Sequence, residues 1–321
     1  MFELIDVNDL ASLAKIIGGN LTGENKQFTY ITTDSRRINR DTLFLALLGE
    51  KYDGNDFCET AIEAGAQAYI STKEIINKTG IVVEDTYLAL LKMARYQQQQ
   101  VNPKTLAITG SNGKTTLKEM VAHILDEQES IKTKDNENNQ FGIPFTVLRL
   151  KPETRFLVLE CGARKLGDFD LISEYLKFDV LAITNINNSH IEIFENQTNI
   201  IRTKTKLLDG LRVGGSFIDG AFEDWGTSDK LMEMNQTFRV NVHHNLERDS
   251  DTKPLTENWN CTVVSGQEEG SLPGFFGLSF QQTLSSSSKR FQSPKKMNLG
   301  PRHNCHNALL AILAARELGV Q

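Results

Sequence analysis

The sequence predicts an α/β protein, with a small α/β N-terminal domain ahead of a P-loop central domain that has a mostly parallel sheet. Three observations carry this. Short apolar runs alternate with amphipathic stretches, the pattern of strands joined by crossover helices. A glycine-rich loop, Thr109-Gly-Ser-Asn-Gly-Lys-Thr-Thr116, stands between one such run and one such stretch. The 321 residues suit two domains at roughly 150 residues each.

In chain order, Leu43–Ala46, Ala68–Ile70 and Ile81–Val83 read as short buried strands. Phe57 to Gly65 reads as a helix closed by its glycine, and Leu88 to Gln100 as a second helix. Val101-Asn-Pro103 follows, and a proline biases the residue before it away from helix. The domain boundary is expected there, giving 1–100 and 101–321. The second domain opens on a strand, Thr105–Thr109. After the glycine loop, Leu117, Met120, Val121, Ile124 and Leu125 fall on one helical face. Phe156–Leu159, Val180–Thr184 and Ser216–Ile218 read as further strands of a sheet covered on both faces. From about Asp219 to Asn298 the chain is polar and weakly periodic, and antiparallel strands are one reading of it. Asn304 to Leu318 is a clear helix with Gly319 as its stop.

Composition narrows the function. Lys plus Arg is 35 and Asp plus Glu is 41, a net charge of −6, against the basic excess of a general nucleic-acid binder. The N-terminus carries acids where a signal peptide carries bases. No run approaches the roughly 18 apolar residues of a membrane span. Cys58, Cys161, Cys261 and Cys305 show no CxxC spacing, so reduced thiols in a cytoplasmic protein are the expectation; a monomer is expected.

The loop carries the strongest chemistry. Gly110 and Gly113 let the backbone turn tightly and aim N–H groups at phosphate oxygens, beside a helix N-terminus. Ser111, Asn112 and Thr116 complete the cradle. Lys114 would reach the β- and γ-phosphates, and Thr115 would place its hydroxyl on Mg²⁺. The strict pattern GxxxxGK[ST] asks for glycine at Ile108. A plain glycine turn with an exposed lysine is the competing reading.

Several segments resemble the Mur ligase family, the ATP-dependent amino-acid ligases of bacterial cell-wall synthesis. The loop is that family's variant. Thr33-Asp-Ser-Arg36, Leu43–Leu47 and Asp53-Gly-Asn-Asp-Phe57 resemble its muropeptide-binding first domain. Asn138-Asn-Gln-Phe-Gly-Ile-Pro144, Leu159-Glu-Cys-Gly-Ala163, Thr184-Asn-Ile186, His190, Lys204-Thr-Lys206 and Arg302–Leu309 follow in family order. The Asn-Asn-x-x-Gly-x-Pro and Glu-x-Gly-Ala segments resemble the branch that joins D-alanyl-D-alanine to UDP-N-acetylmuramoyl-tripeptide.

The resemblance implies ATP and Mg²⁺ as cofactors and an acyl-phosphate route in peptidoglycan precursor synthesis. It implies Lys114, Glu160, His190 and Lys206 as catalytic residues. Thr115, Glu160 and His190 would be the Mg²⁺ ligands, and Asn304 and Asn307 adenine-side contacts. Ser35, Arg36, Asn55, Asn138 and Asn139 would face the muropeptide. Read alone, Glu160 is a strand-end surface acid, His190 a loop histidine, Asn55 a polar turn residue and Asn304 equally a helix N-cap. Lys206 matches the lysine that several members carbamylate, with Lys204 as the competitor. The family also has a third domain that normally follows the helix ending at Leu318, so impaired catalysis by residues 1–321 is the expectation. A non-catalytic relative that binds ATP or UDP-muropeptide is the alternative.

Overall fold

A computed structural model describes residues 1–49, 51–125, 129–187, 191–220, 236–245, 258–266, 276–279 and 302–320. They form two compact units: 1–103 with 133–157 and 174–176, and 104–132 with 158–173 and 177–321.

The first unit begins with α1 (Leu10–Ile17). Asp9 caps it by accepting from Ser12 N–H, and Gly18 closes it in the left-handed conformation. Then come β1 (Asn20–Thr22), β2 (Tyr30–Thr32), β3 (Thr42–Leu45), α2 (Cys58–Glu63), β4 (Ala68–Ser71), β5 (Gly80–Val82) and α3 (Thr86–Val101). The sheet order is β1-β5-β4-β3-β2; β2 to β5 pair in parallel, and β1 closes the edge antiparallel to β5. Every residue of β3 and β4 is buried, as their continuous apolar reading requires. The predicted strands at 43–46, 68–70 and 81–83 thus appear within a residue or two of their expected ends.

The second unit supplies β6 (Lys104–Thr109), α4 (Lys114–Ile124) and β7 (Ser130–Lys132). The chain between 133 and 157 belongs to the first unit, which a single cut near residue 100 does not anticipate. It carries α5 (Gly142–Val147), which packs on α3. Tyr87 meets Phe141 edge-on at 5.4 Å, and buried Gln97 donates to Leu150 C=O at 2.9 Å while accepting from Ile5 N–H. One buried amide therefore ties three segments of that unit together, and no hydropathy pattern announces it.

The chain then enters β8 (Phe156–Glu160), α6 (Asp170–Tyr175), β9 (Phe178–Ile183), α7 (Ile191–Phe194), α8 (Gln197–Thr205) and β10 (Leu211–Asp219). β11 (Gln236–Asn245), β12 (Asn258–Gly266), β13 (Phe276–Ser279) and α9 (Arg302–Glu317) complete the description. The sheet order is β13-β12-β11-β10-β9-β6-β8-β7. β6, β9, β10 and β11 pair in parallel, and β12 and β13 add on antiparallel. The weakly periodic stretch thus contributes one parallel and two antiparallel strands. α9 packs on α4 and buries Leu310, Ala311 and Ala314. Among the described residues, no helix is long and apolar enough to cross a membrane, and Cys58 and Cys161 are free, buried thiols.

Candidate nucleotide-phosphate site

The site grows from the C-terminal ends of β6, β8 and β9. β6 ends at Thr109, and the chain turns through Gly110 (φ +145°) and Gly113 (φ +81°) into α4. Both glycines are required. A Cβ on Gly110 would stand 2.0 Å from Thr184 Oγ1, and one on Gly113 would stand 3.0 Å from the Asn307 amide. No side chain caps α4, so its first N–H groups face whatever fills the loop.

The segment after β9 latches the loop. Asn185 behaves like a strip of backbone: its Oδ1 accepts from Asn112 N–H at 3.0 Å, and its Nδ2 donates to Asn112 C=O at 2.9 Å. Thr184 Oγ1 donates to the same carbonyl at 2.6 Å. Ser111 N–H donates to Asn185 C=O, and its hydroxyl accepts from Asn187 N–H and donates to Asn187 C=O. The loop is thus held at Ser111 and Asn112 without using the α4 N–H groups.

Two ammonium groups converge on one carbonyl. Lys114 Nζ donates to Gly110 C=O at 2.8 Å and to Ser111 C=O at 3.1 Å. Lys204 Nζ, buried at the end of α8, donates to Gly110 C=O at 3.0 Å. Burial lowers the affinity of Lys114 for its proton, with Glu160 pulling the other way. Burial, then repulsion from Lys114, brings the Lys204 ammonium down to about 7. A polyanion entering the loop meets the Lys114 ammonium, whose hydrogen-bond partners there are two carbonyls.

The third component is Glu160. It ends β8 at 1% exposure, so it is a buried carboxylate and not a surface acid. Thr115 Oγ1 donates to its Oε1 at 3.0 Å, and Lys118 Nζ stands 3.4 Å from its Oε2. Thr115 and Lys118 are three residues apart and share one face of α4. A hydroxyl and a carboxylate oxygen in contact suit a hard cation such as Mg²⁺, which takes few protein ligands and keeps phosphate oxygens and water.

The other expected residues distribute as follows. The Lys206 ammonium pairs with Asp209 at 2.8 Å and is 42% exposed, and of the two lysines it is Lys204 that reaches the loop. The reason is helical phase: two positions rotate a side chain to the far face of the helix end. His190 lies outside the described residues, as does the side chain of Asn304, which sits inside α9 two residues past its first residue and is therefore no N-cap. Asn307 is buried against Gly113. In the first unit, Arg36 is exposed and holds Asp34 in two hydrogen bonds, keeping that carboxyl down at about 2. Ser35 is half-buried beside it. Asn55 is engaged within its own unit: Oδ1 accepts from Ser71 Oγ and Thr72 N–H, and Nδ2 donates to Asp53. Asn139 Oδ1 accepts from Phe141 and Gly142 N–H and starts α5, with Asn138 half-buried before it.

Sequence reasoning missed Lys118 and the Asn185 latch. Lys118 left one usable signal, its i+3 spacing from Thr115. The latch left none, because its partners are 73 residues apart.

A mostly parallel α/β sheet whose strand ends carry this loop, two converging lysines and a buried carboxylate defines a P-loop protein. Within that class the chain belongs to the Mur ligase family. Residues 108–315 match the Mur ligase middle domain, and residues 27–103 match the Mur ligase family catalytic domain. The UDP-N-acetylmuramoyl-tripeptide–D-alanyl-D-alanine ligase of Haemophilus influenzae is 36% identical over 217 residues, which is 65% of this chain and 48% of that protein. The Escherichia coli ligase of the same name is 34% identical over 219 residues, 67% of this chain and 48% of that protein. The chain therefore spans about half the length of the curated relatives it matches. MurF from Acinetobacter baumannii superposes with a TM-score of 0.73 at 25% identity, covering 99% of this chain and 67% of that one.

Proposed function

We propose that this chain is the muropeptide- and ATP-binding part of a cytoplasmic, monomeric ligase that adds D-alanyl-D-alanine to UDP-N-acetylmuramoyl-tripeptide. Its domains divide near residue 100. The observation that carries this reading is the convergence of Lys114, Lys204 and the free end of α4 on the Gly110–Gly113 loop, beside Thr115 and Glu160. The names of the curated relatives supply the substrates.

In this reading the loop N–H groups and Lys114 orient the phosphates, and Thr115 with Glu160 would hold Mg²⁺. The cation, when bound, neutralises charge that builds on phosphoryl oxygens. His190 would be a further metal ligand, and Asn304 and Asn307 would line the adenine side. Ser35, Arg36, Asn138 and Asn139 would face the muropeptide. Asn55 would act from behind, because its own polar groups are already engaged.

Supplying the chain with ATP, Mg²⁺, UDP-N-acetylmuramoyl-tripeptide and D-alanyl-D-alanine tests the reading. Phosphate and pentapeptide product that vanish in Lys114→Ala establish the ligase. Nucleotide binding without product, persisting when a separately expressed third domain of the family is added, establishes a non-catalytic relative.

Lys204 takes the role of the carbamylated lysine. A neutral amine attacks CO₂, forms an N–C bond and releases one proton, leaving an anionic carbamate. Lys204 offers that amine because its ammonium titrates at about 7, whereas Asp209 holds the Lys206 ammonium above its usual range. With ¹³C-bicarbonate, a carbamate resonance is expected that grows as pH rises through about 7. It should disappear in Lys204→Met and persist in Lys206→Met. The reverse pattern would return the role to Lys206.

A further inference from the structure

Lys118 has a place that packing does not explain. It is 1% exposed on a helix whose other buried positions, Leu117, Val121 and Ala122, are apolar. A leucine or methionine would fill that volume without the cost of a buried charge. Its ammonium is not one of the two that hold the Gly110 carbonyl, which are those of Lys114 and Lys204. It stands instead 3.4 Å from Glu160 Oε2 and 3.2 Å from Glu119 Oε1, and Glu119 in turn pairs with Lys132 on β7. The charges alternate from the buried Glu160 to the surface, so the ammonium is held from both sides.

We propose that Lys118 is a positioning residue for Mg²⁺. It holds Glu160 Oε2, so that Oε1, which already accepts from Thr115, is the oxygen presented beside the phosphate loop. This rests on the reading of Thr115 and Glu160 as the Mg²⁺ donors. A carboxylate held at one oxygen by a fixed cation has its orientation set before the metal arrives. Partners behind a metal ligand commonly affect metal affinity by about 10- to 100-fold.

The experiment follows binding of the fluorescent nucleotide mant-ADP to the 321-residue chain, with Mg²⁺ and with EDTA. In the wild type, Mg²⁺ tightens binding. In Lys118→Met that gain should shrink about tenfold or more, while affinity in EDTA stays unchanged. In a Glu160→Gln background, adding Lys118→Met should change nothing further, because Lys118 acts through Glu160. Both backgrounds avoid stranding a charge: Lys118 keeps Glu119 in the first, and neither buried charge remains in the double variant. That pair can still overturn the proposal where Lys118→Met alone does not fold. A full Mg²⁺ gain in Lys118→Met, an equal loss with and without Mg²⁺, or a further loss in the Glu160→Gln background overturns the proposal. A wild-type chain with no Mg²⁺ gain overturns the metal assignment as well, so the two failures are distinguishable.

Discussion

Lys114→Ala lowers the affinity of the chain for Mg–ATP by about 100- to 1,000-fold, close to 3–4 kcal/mol. The wild-type ammonium sits in a partly buried place, where it bridges the Gly110 and Ser111 carbonyls at 2.8 and 3.1 Å. Nearby, Lys204 repeats the first of those bonds. A phosphate entering the loop offers Lys114 a far stronger partner than two carbonyls, so the bridge is the resting arrangement of a group meant for an anion. Alanine removes both the bridge and the charge. Lys204 remains, but its ammonium is half-titrated near pH 7 and supplies at best part of the field. Calorimetric titration with a non-hydrolysable ATP analogue measures the loss, with circular dichroism confirming the fold. Unchanged affinity in a folded Lys114→Ala protein would falsify the phosphate-loop assignment.

Gly110→Ala acts on the same loop through sterics. Its Cβ would stand 2.0 Å from Thr184 Oγ1 and 3.1 Å from Thr184 N and Asn185 O, on a backbone with φ of +145°. The overpacking and the backbone strain together cost about 2–6 kcal/mol. The urea midpoint should fall accordingly, and nucleotide binding should go with it, because the Thr184–Asn185 latch cannot stay in register. Adding Thr184→Ala removes the 2.0 Å clash and recovers part of the loss. The backbone part stays, since the second substitution leaves φ untouched. A single variant with an unchanged midpoint would mean that the loop does not adopt this turn.

The elements legible in the sequence share one property: their cause is local. β3, β4, β6 and β9 are continuous apolar runs buried on both faces, and burial of that kind writes itself into a few consecutive letters. The phosphate loop is legible for the same reason, since its glycines, lysine and threonines are consecutive. The return of residues 133–157 to the first unit was not legible. It rests on Gln97 and on the Tyr87–Phe141 contact, each linking positions some 50 residues apart. Lys204 and Lys206 are not separable in the sequence, because both letters are the same. Only the direction each side chain takes from the end of α8 tells them apart.

The sequence by itself determined the α/β class, the loop and its family, because spacing along a strand–turn–helix unit is fixed by backbone geometry. Tertiary structure alone decided which charges meet. It put Lys204 on the Gly110 carbonyl and left Lys206 with Asp209. It closed Lys118 over Glu160 and fastened Asn185 to Asn112. Those choices depend on distances across the sheet, where two side chains tens of residues apart share a few ångströms. Their effect depends on burial, because desolvation sets how strongly each charge acts on the next.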